Sequence, residues 1–498
     1  MGQSPGGDDE HIPVAVADSQ EIREIPLAVD LDGTLVATDT LFEGAMSLIR
    51  QSPASILLFP IWLGRGKAVL KTEIAKRFRV NAGNLPYRTD LLEYLRKERT
   101  QGRMIVLATA AHQSTADSAA AHLNLFDEVL ASTESVNLKG TRKRDELVKR
   151  FGFRGFDYIG DSRADIPVWE ACRIGHVAGQ WKALPDGILA AGTQQGQIFA
   201  GHRSSLAPYI RALRVYQWVK NVLVVAPALL NHHVDGAVLK ALAIAFLSFS
   251  FVASGTYIAN DLFDLDADRR HPRKSKRPLA SGELSITQGI SLAVGLVVAG
   301  ILLGLMANKL LVVCLGIYLV LTLLYSSFLK GKPILDAVVL AMLYTLRVYS
   351  GGLATGAYVS PWLFQFSVFL FLSLAFVKRY SELRRLRYQR HREAPGRGYR
   401  LQDLSIISQA GIGSGMLAGL VLALYVNGRE IERLYPRPEM LWGVCPLFIY
   451  WIIRVWLIAH RGNMNEDPIL FAFHDRVSYI VGFLIVLAVL LGLTPHVN

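Results

Sequence analysis

From residue 217 to residue 495 the chain runs through one apolar stretch after another, each about long enough to cross a hydrocarbon layer as a helix. Spans are expected near 217–231, 237–260, 286–306, 309–329, 334–354, 361–380, 406–426, 440–459 and 477–494, which makes the second half an all-α multi-pass membrane domain of about nine helices. Residues 22–193 are patterned differently, with short apolar runs such as IPLAVD and MIVLAT between polar segments, as in a soluble α/β domain. The expected organisation is a flexible leader over 1–21, a soluble domain over 22–193, a linker over 194–208 rich in small and polar residues, and a membrane domain over 209–498. The leader lacks the basic and apolar regions of a signal peptide.

Basic residues sort by loop. The loops 261–284 and 378–405, with Lys330, Lys332, Arg461 and Arg476, carry nearly all of them, whereas NHHVDG and ATGAYVS carry no Lys or Arg. Arg429, Arg433 and Arg437 depart mildly from the pattern. With nine spans the positive-inside rule puts the N-terminus, the soluble domain and loop 261–284 on the cytoplasmic side of a cell inner membrane. The net charge of +12 lies mostly in these juxtamembrane loops, so anionic lipid and phosphate are the expected partners and nucleic acid is not. With three cysteines in neither paired nor metal-ligand spacing, neither a disulfide framework nor a zinc site is expected. The sequence is compatible with a homo-oligomer.

The run NDLFDLDADRRHPRKSKRPLASG ends the second span. Asp261, Asp264 and Asp268 are spaced by three and four residues, so on a continuing helix they share a face and can hold Mg2+ through oxygen ligands. Asn260 precedes them and Tyr257 lies one turn earlier. Arg273 and Arg277 follow, in a loop kept irregular by Pro272, Pro278 and Gly282. Carboxylates at membrane depth followed by cations suit a metal-bound diphosphate, which the positive-inside rule alone does not explain.

In the soluble domain, IPLAVDLDGTL puts Asp30 at the end of an apolar strand and Asp32 two residues on. MIVLATA ends at Thr109, NLKGTRKRDEL carries Lys139 and Lys143, and YIGDSRAD carries Asp161 and Asp165. These four motifs, in this order, resemble the haloacid dehalogenase superfamily of phosphohydrolases. The resemblance implies a Rossmann-like α/β fold and a phosphoaspartyl reaction. Asp30 would be the nucleophile and Asp32 the acid and base; Thr109 would hold a phosphoryl oxygen, and Lys143, with Lys139 as the alternative, would balance charge. Asp30, Asp161 and Asp165 would hold Mg2+. Residues 39–100 read as a small helical cap, and SILLFPIWLG within it is too short to span a bilayer; it is expected either to close over substrate or to lie against the membrane surface.

The NDxxDxxxD pattern after a second span resembles the UbiA superfamily of intramembrane prenyltransferases. Where that family carries a second Asp-rich motif, this chain reads LAFVKRYSELRRL, with Lys378, Arg379 and Glu382. LRVYQWVKNVLVVAP, ILDAVVLAMLYTLRVYSGG and IAHRGNMNEDPILFAFHDR narrow the likeness to decaprenyl-phosphate phosphoribosyltransferases. That likeness implies that polyprenyl phosphate accepts a phosphoribosyl group from 5-phosphoribosyl diphosphate. Asp261, Asp264 and Asp268 would hold Mg2+ and the leaving diphosphate; Asn260 would orient a ligand; Lys220, Arg273, Arg277, Lys378 and Arg379 would meet phosphates. Asp336 and Arg347, polar within an apolar span, are expected to face the same cavity, with Tyr257 lining it. The soluble domain would then remove the 5-phosphate. The alternatives are an aromatic-acceptor prenyltransferase fused to an unrelated phosphatase, and a non-catalytic soluble domain.

Overall fold

A computed structural model describes residues 25–201, 205–232, 235–388, 398–464 and 467–495, so the expected leader lies outside the described residues. The chain divides into two compact units. One comprises the residues up to Tyr209 together with Asp261–Gln288; the other comprises Ile210–Asn260 and the chain from Gly289 onward.

The first unit is built on a six-stranded sheet: β1 Leu27–Val29, β2 Ile105–His112, β3 Glu128–Ser132, β4 Asp157–Gly160, β5 Ile174–Gly179 and β6 Gln194–Ala200. All pairings are parallel, in the order β3-β2-β1-β4-β5-β6. Leu27 sits opposite Ile105 on one side and Asp157 on the other. Such strands must be apolar on both faces. Accordingly, Leu27 and Val29 join a core with Leu91, Leu95 and Leu107, while Ala28 joins another with Phe156, Tyr158 and Trp169. The strand order reverses at β1, and the crevice at the carboxyl ends of β1 and β4 is where such sheets place ligands. The stretch 194–208 is therefore not simply a linker. Its first seven residues are the edge strand β6, paired to β5.

Helices Thr40–Gln51, Phe59–Gly64 and Lys67–Arg77 form the expected cap, with a small core of Ala45, Leu48, Trp62 and Ile74. The segment 261–288 belongs to this same unit. Arg269 donates to both carboxylate oxygens of Glu43 at 2.8 and 2.5 Å, and both side chains are buried. Asn84 donates to Asp266 at 2.6 Å. Gly282 adopts φ +78°, and a Cβ there would lie 2.7 Å from that of Ala37, so glycine is required twice over at this approach.

The second unit is helical. Among the described residues, seven helices are long and apolar enough to cross a membrane: Gly236–Phe263, Ile286–Ala307, Lys309–Ser327, Leu335–Thr355, Pro361–Leu386, Leu401–Val426 and Pro438–Arg461. Nine were expected, and the difference lies at the two ends. Residues 217–231 form a 3-10 segment, Val215–Val225, and a short helix, Ala226–Leu230, with Pro227 at the junction. The last apolar helix, Arg476–Gly492, has only 17 residues. Helix Leu404–Val426 packs closely on its neighbours through small residues. A Cβ on Gly411 would fall 2.1 Å from the Trp456 ring, and one on Gly415 2.8 Å from Ile452.

Candidate active sites

Four sheet-end segments converge in the first unit. Asp30 follows β1, Thr109 lies in β2, Asp161 and Asp165 follow β4, and Lys143 stands in the first turn of helix Thr141–Phe151. Lys143 Nζ lies 3.1 Å from Asp30 Oδ1 and 3.2 Å from Asp165 Oδ1 and donates to the Tyr158 hydroxyl at 2.8 Å. The Tyr158 hydroxyl donates to Asp165 at 2.6 Å, and the other Asp165 oxygen accepts from the Ser162 backbone and hydroxyl at 3.1 and 3.0 Å. Of the two candidate lysines, Lys143 is thus the one that meets Asp30.

Thr34 donates to Asp161 at 3.2 Å, and a Cβ at Gly33 would lie 2.1 Å from an Asp161 oxygen, so the DGT turn cradles that carboxylate. Asp32 accepts from the Thr40 backbone at 2.8 Å, and Thr109 is fully buried, accepting from Ala111 N–H at 3.1 Å. Arg88 ties the turn down by donating to the carbonyls of Gly33 and Thr34, each at 3.0 Å.

Charge at this site is unbalanced. Burial raises the Asp30 carboxyl to about 6 against the opposing pull of Lys143, and burial with the neighbouring Asp30 and Asp165 raises Asp161 to about 7. Asp32, buried beside Asp39, is raised to about 8, which keeps it protonated at neutral pH. Although burial opposes both charges, Asp165 is held below and Lys143 above its ordinary value by their pairing. Carboxylate oxygens of Asp30, Asp161 and Asp165 lie within 4.8 Å of one another, the group of this kind found among the described residues. Hard oxygen donors, crowded and short of positive charge, fit a Mg2+ ion.

The Asp-rich segment is arranged otherwise. The helix does not continue through it: Gly236–Phe263 ends, Asp264 breaks the geometry at φ −99°, ψ 10°, and a new helix runs over Leu265–Arg270. Its carboxylates are not gathered as those of Asp30, Asp161 and Asp165 are. Arg277 reaches Asp261 at 2.9 Å and Asp268 at 2.5 Å, Lys274 lies 3.6 Å from Asp268, and Arg50 lies 3.4 Å from Asp264. Asp261 and Asp268 thus already converge on one cation, which makes their oxygens suitable for a divalent one. Arg273 is exposed, and Asn260 is half-buried in the last turn of the long helix.

In the helical unit, a cavity of about 650 Å3 is lined by Arg214, Lys220, Tyr257, Lys378, Asp467 and His474, with Leu470 and Phe473 among its apolar walls. Lys220 and Lys378 both donate to the same Asp467 oxygen, at 3.1 and 2.9 Å. Burial works against ionising Asp467, but Lys378 and Lys220 hold it well below the usual carboxylate range. Lys220 is buried, with its ammonium over the Tyr344 ring, so it is no interface anchor.

Asp336, Arg347, Arg379 and Glu382 do not line this cavity. Arg347 is buried against the Tyr318 hydroxyl at 2.8 Å and Asn221 at 2.9 Å. Asp336 and Arg379 pair with each other at 2.6 Å, Arg379 also reaches Glu382 at 2.7 Å, and Tyr399 donates to Asp336 at 2.5 Å. These four side chains have intramolecular partners, which is what charge in a low-dielectric interior requires. Sequence reasoning missed Asp467, Arg214, Tyr158 and Arg88. Asp467 and Tyr158 stand inside strings already singled out, but no spacing rule links Asp467 to a lysine 89 residues away.

A parallel sheet with this carboxylate and lysine cluster, joined to a bundle of apolar helices, defines a phosphohydrolase-like domain fused to a multi-pass membrane domain. The sequence model for haloacid dehalogenase-like hydrolases matches residues 27–170, and that for the UbiA prenyltransferase family matches residues 222–477. The chain belongs to the UbiA prenyltransferase family and is a multi-pass membrane protein. It is 37% identical over 476 residues to "uncharacterized protein y4nM" of Sinorhizobium fredii, covering 95% of this chain and 92% of that one. It is 34% identical to nodulation protein NoeC of Azorhizobium caulinodans, over 55% of this chain and 89% of the other. With decaprenyl-phosphate phosphoribosyltransferase of Corynebacterium glutamicum it shares 37% identity over 35% of this chain and 54% of that protein.

Proposed function

We propose that the chain is a bifunctional enzyme: its membrane domain transfers 5-phosphoribosyl from 5-phosphoribosyl diphosphate to polyprenyl phosphate, and its soluble domain hydrolyses the 5-phosphate of the product. The observation that carries the transfer reading is the pair of lysines sharing Asp467 in a cavity with apolar walls. Two cations against one carboxylate leave positive charge for a phosphate, where an aromatic acceptor would need none. Similarity to decaprenyl-phosphate phosphoribosyltransferase supports the same reaction.

In the transfer, a phosphate oxygen of the lipid forms a bond to ribose C1 as the bond from C1 to the diphosphate oxygen breaks. Asp261, Asp264 and Asp268 would hold Mg2+, which when bound neutralises diphosphate. Lys220 and Lys378 bind phosphate, and Arg277, released from Asp261 and Asp268, is a further phosphate ligand.

In the hydrolysis, Asp30 attacks phosphorus while protonated Asp32 gives its proton to the departing ribose oxygen. Asp32, now a base, takes a proton from water as the water oxygen bonds to phosphorus and the bond from phosphorus to Asp30 breaks, releasing inorganic phosphate. Lys143 and the Leu31 N–H fix one Asp30 oxygen. Asp30, Asp161 and Asp165 would hold a second Mg2+, which supplies charge for the phosphoryl oxygens. By the loop charges, both sites face the cytoplasm across an inner membrane.

The test is to incubate the purified protein with Mg2+, polyprenyl phosphate and 5-phosphoribosyl diphosphate labelled in the ribose. Label should enter the lipid phase as a ribosyl lipid lacking the 5-phosphate. Label confined to the aqueous phase rejects the transfer, and a lipid that keeps its 5-phosphate rejects the second step.

A further inference from the structure

The short apolar stretch in the cap is turned outward. Residues Pro53–Leu58 form a 3-10 helix and Phe59–Gly64 an α-helix. Trp62 and Ser55 are buried beneath them, Trp62 in the small core with Ala45, Leu48 and Ile74. The opposite side presents Ile56, Leu57, Leu58, Ile61 and Leu63, at 53, 72, 38, 53 and 52% exposure. Five large aliphatic side chains within eight residues form a contiguous apolar patch of a kind that water-facing surfaces avoid. None of the five lines the crevice beside the cap, which is bounded by Thr40, Leu41, Lys71, Phe78, Ala111 and His112.

We propose that this face is a membrane-docking surface and that its occupant is the lipid bilayer. Three features favour lipid over a protein partner. The pair of helices covers only Pro53–Gly64, too short to span but suited to lying in the interface with its apolar side in the acyl layer. Exposed Arg65 and Lys67 follow immediately, where they can meet anionic headgroups. The chain also leaves this unit directly into membrane-length helices, ending one at residue 263 and starting another at residue 286, so a bilayer is always within covalent reach. The proposal is independent of what either site catalyses.

The test uses the full chain in phosphatidylcholine and phosphatidylglycerol vesicles, with an environment-sensitive fluorophore on Leu57→Cys and, as an independent variant, on Ile61→Cys. Lys97→Cys, at an exposed polar position, serves as the reference, and the parent chain gives the background from its own cysteines. Probes at 57 and 61 should be blue-shifted and quenched several-fold more by acyl-chain bromines than the probe at 97. Three results overturn the proposal. One is equal quenching of all three probes by aqueous iodide. Another is a blue shift that disappears as the protein-to-lipid ratio is lowered, which assigns the face to a second copy. The third is a shift that arises only on adding phosphorylated lipid, which assigns it to substrate.

Discussion

The two sites are electrostatic opposites. At the sheet edge, three carboxylates, Asp30, Asp161 and Asp165, crowd around one lysine, Lys143; in the helical unit, two lysines, Lys220 and Lys378, crowd around one carboxylate, Asp467. Each would gain from a counter-ion of the missing sign. The first arrangement calls for a divalent cation that a phosphate can follow; the second calls for the phosphate directly. Between them in character stands the Asp-rich segment, where Arg277 bridges Asp261 and Asp268 at parity or below. The same residue types, differently proportioned, would thus suit one site to a metal and the other to an anion, and the burial that makes each costly to leave uncompensated is what would give it affinity.

The largest expected effect follows from removing the nucleophile. Asp30→Asn should lower phosphate release at least about a thousand-fold while ribosyl transfer continues, so that the ribosyl lipid retains its 5-phosphate. Mass spectrometry of the lipid product checks this. An unchanged ratio of phosphorylated to dephosphorylated lipid would mean that the sheet-edge site acts on something else.

Asp268→Asn should be nearly as severe in the opposite sense. Losing Asp268 removes a metal ligand and leaves Arg277 paired with Asp261 alone. Transfer should fall by about two to three orders of magnitude, a loss of roughly 3–4 kcal/mol of transition-state stabilisation. Phosphate release from a soluble phosphomonoester should be unaffected. Full transfer by this variant would dismiss the Asp-rich segment as a metal site.

What could be read in the sequence followed from local pattern. The sheet-edge site was legible because each motif ends a strand or opens a helix, and parallel topology then brings strand ends together wherever they stand in the chain. The fold class was legible from apolar run length, though not the 3-10 break at Val215–Val225 or the 17-residue last helix, which depend on local backbone choices. The cavity was half legible. Lys220, Lys378 and Tyr257 line one cavity, but Asp336 and Arg347 have other partners, because a charged residue in an apolar span can satisfy its field with any neighbouring helix. Such pairings, Asp336 with Arg379 or Arg347 with Asn221, are tertiary facts with no sequence spacing to betray them.

Acid should distinguish the two units as well. His176 on β5 is buried; its Nδ1 accepts from Gln197 N–H at 2.9 Å, its Nε2 has no partner among the described residues, and burial lowers it from 6.5 to about 4. A lowered histidine binds its proton more weakly folded than unfolded. Its stabilising contribution is therefore complete above pH 6.5 and lost as pH falls toward 4, amounting to about 3 kcal/mol. Thermal inactivation of phosphate release should accelerate across that window, and His176→Asn, less stable at pH 7, should show a flatter dependence. An identical slope in the variant would assign the acid sensitivity to another group.

The smallest effect tests the cavity's side of the opposition. Lys378→Ala leaves Lys220 alone on Asp467, converting two cations per carboxylate into one and abolishing the surplus charge. Binding of an anionic substrate should weaken about ten-fold, or about 1.4 kcal/mol, and should appear mainly as a raised KM with kcat less affected, since Lys378 is assigned to binding phosphate and not to the bond being broken. Lys378→Arg keeps the charge but changes the reach, so it should recover part of the affinity. Restoring the ratio by a second change sharpens the point: Asp467→Asn in the Lys378→Ala background removes the acid that occupies Lys220, and should regain affinity relative to Lys378→Ala alone. If the double variant binds no better than the single one, the charge ratio is not what the cavity uses, and Asp467 is needed in its own right.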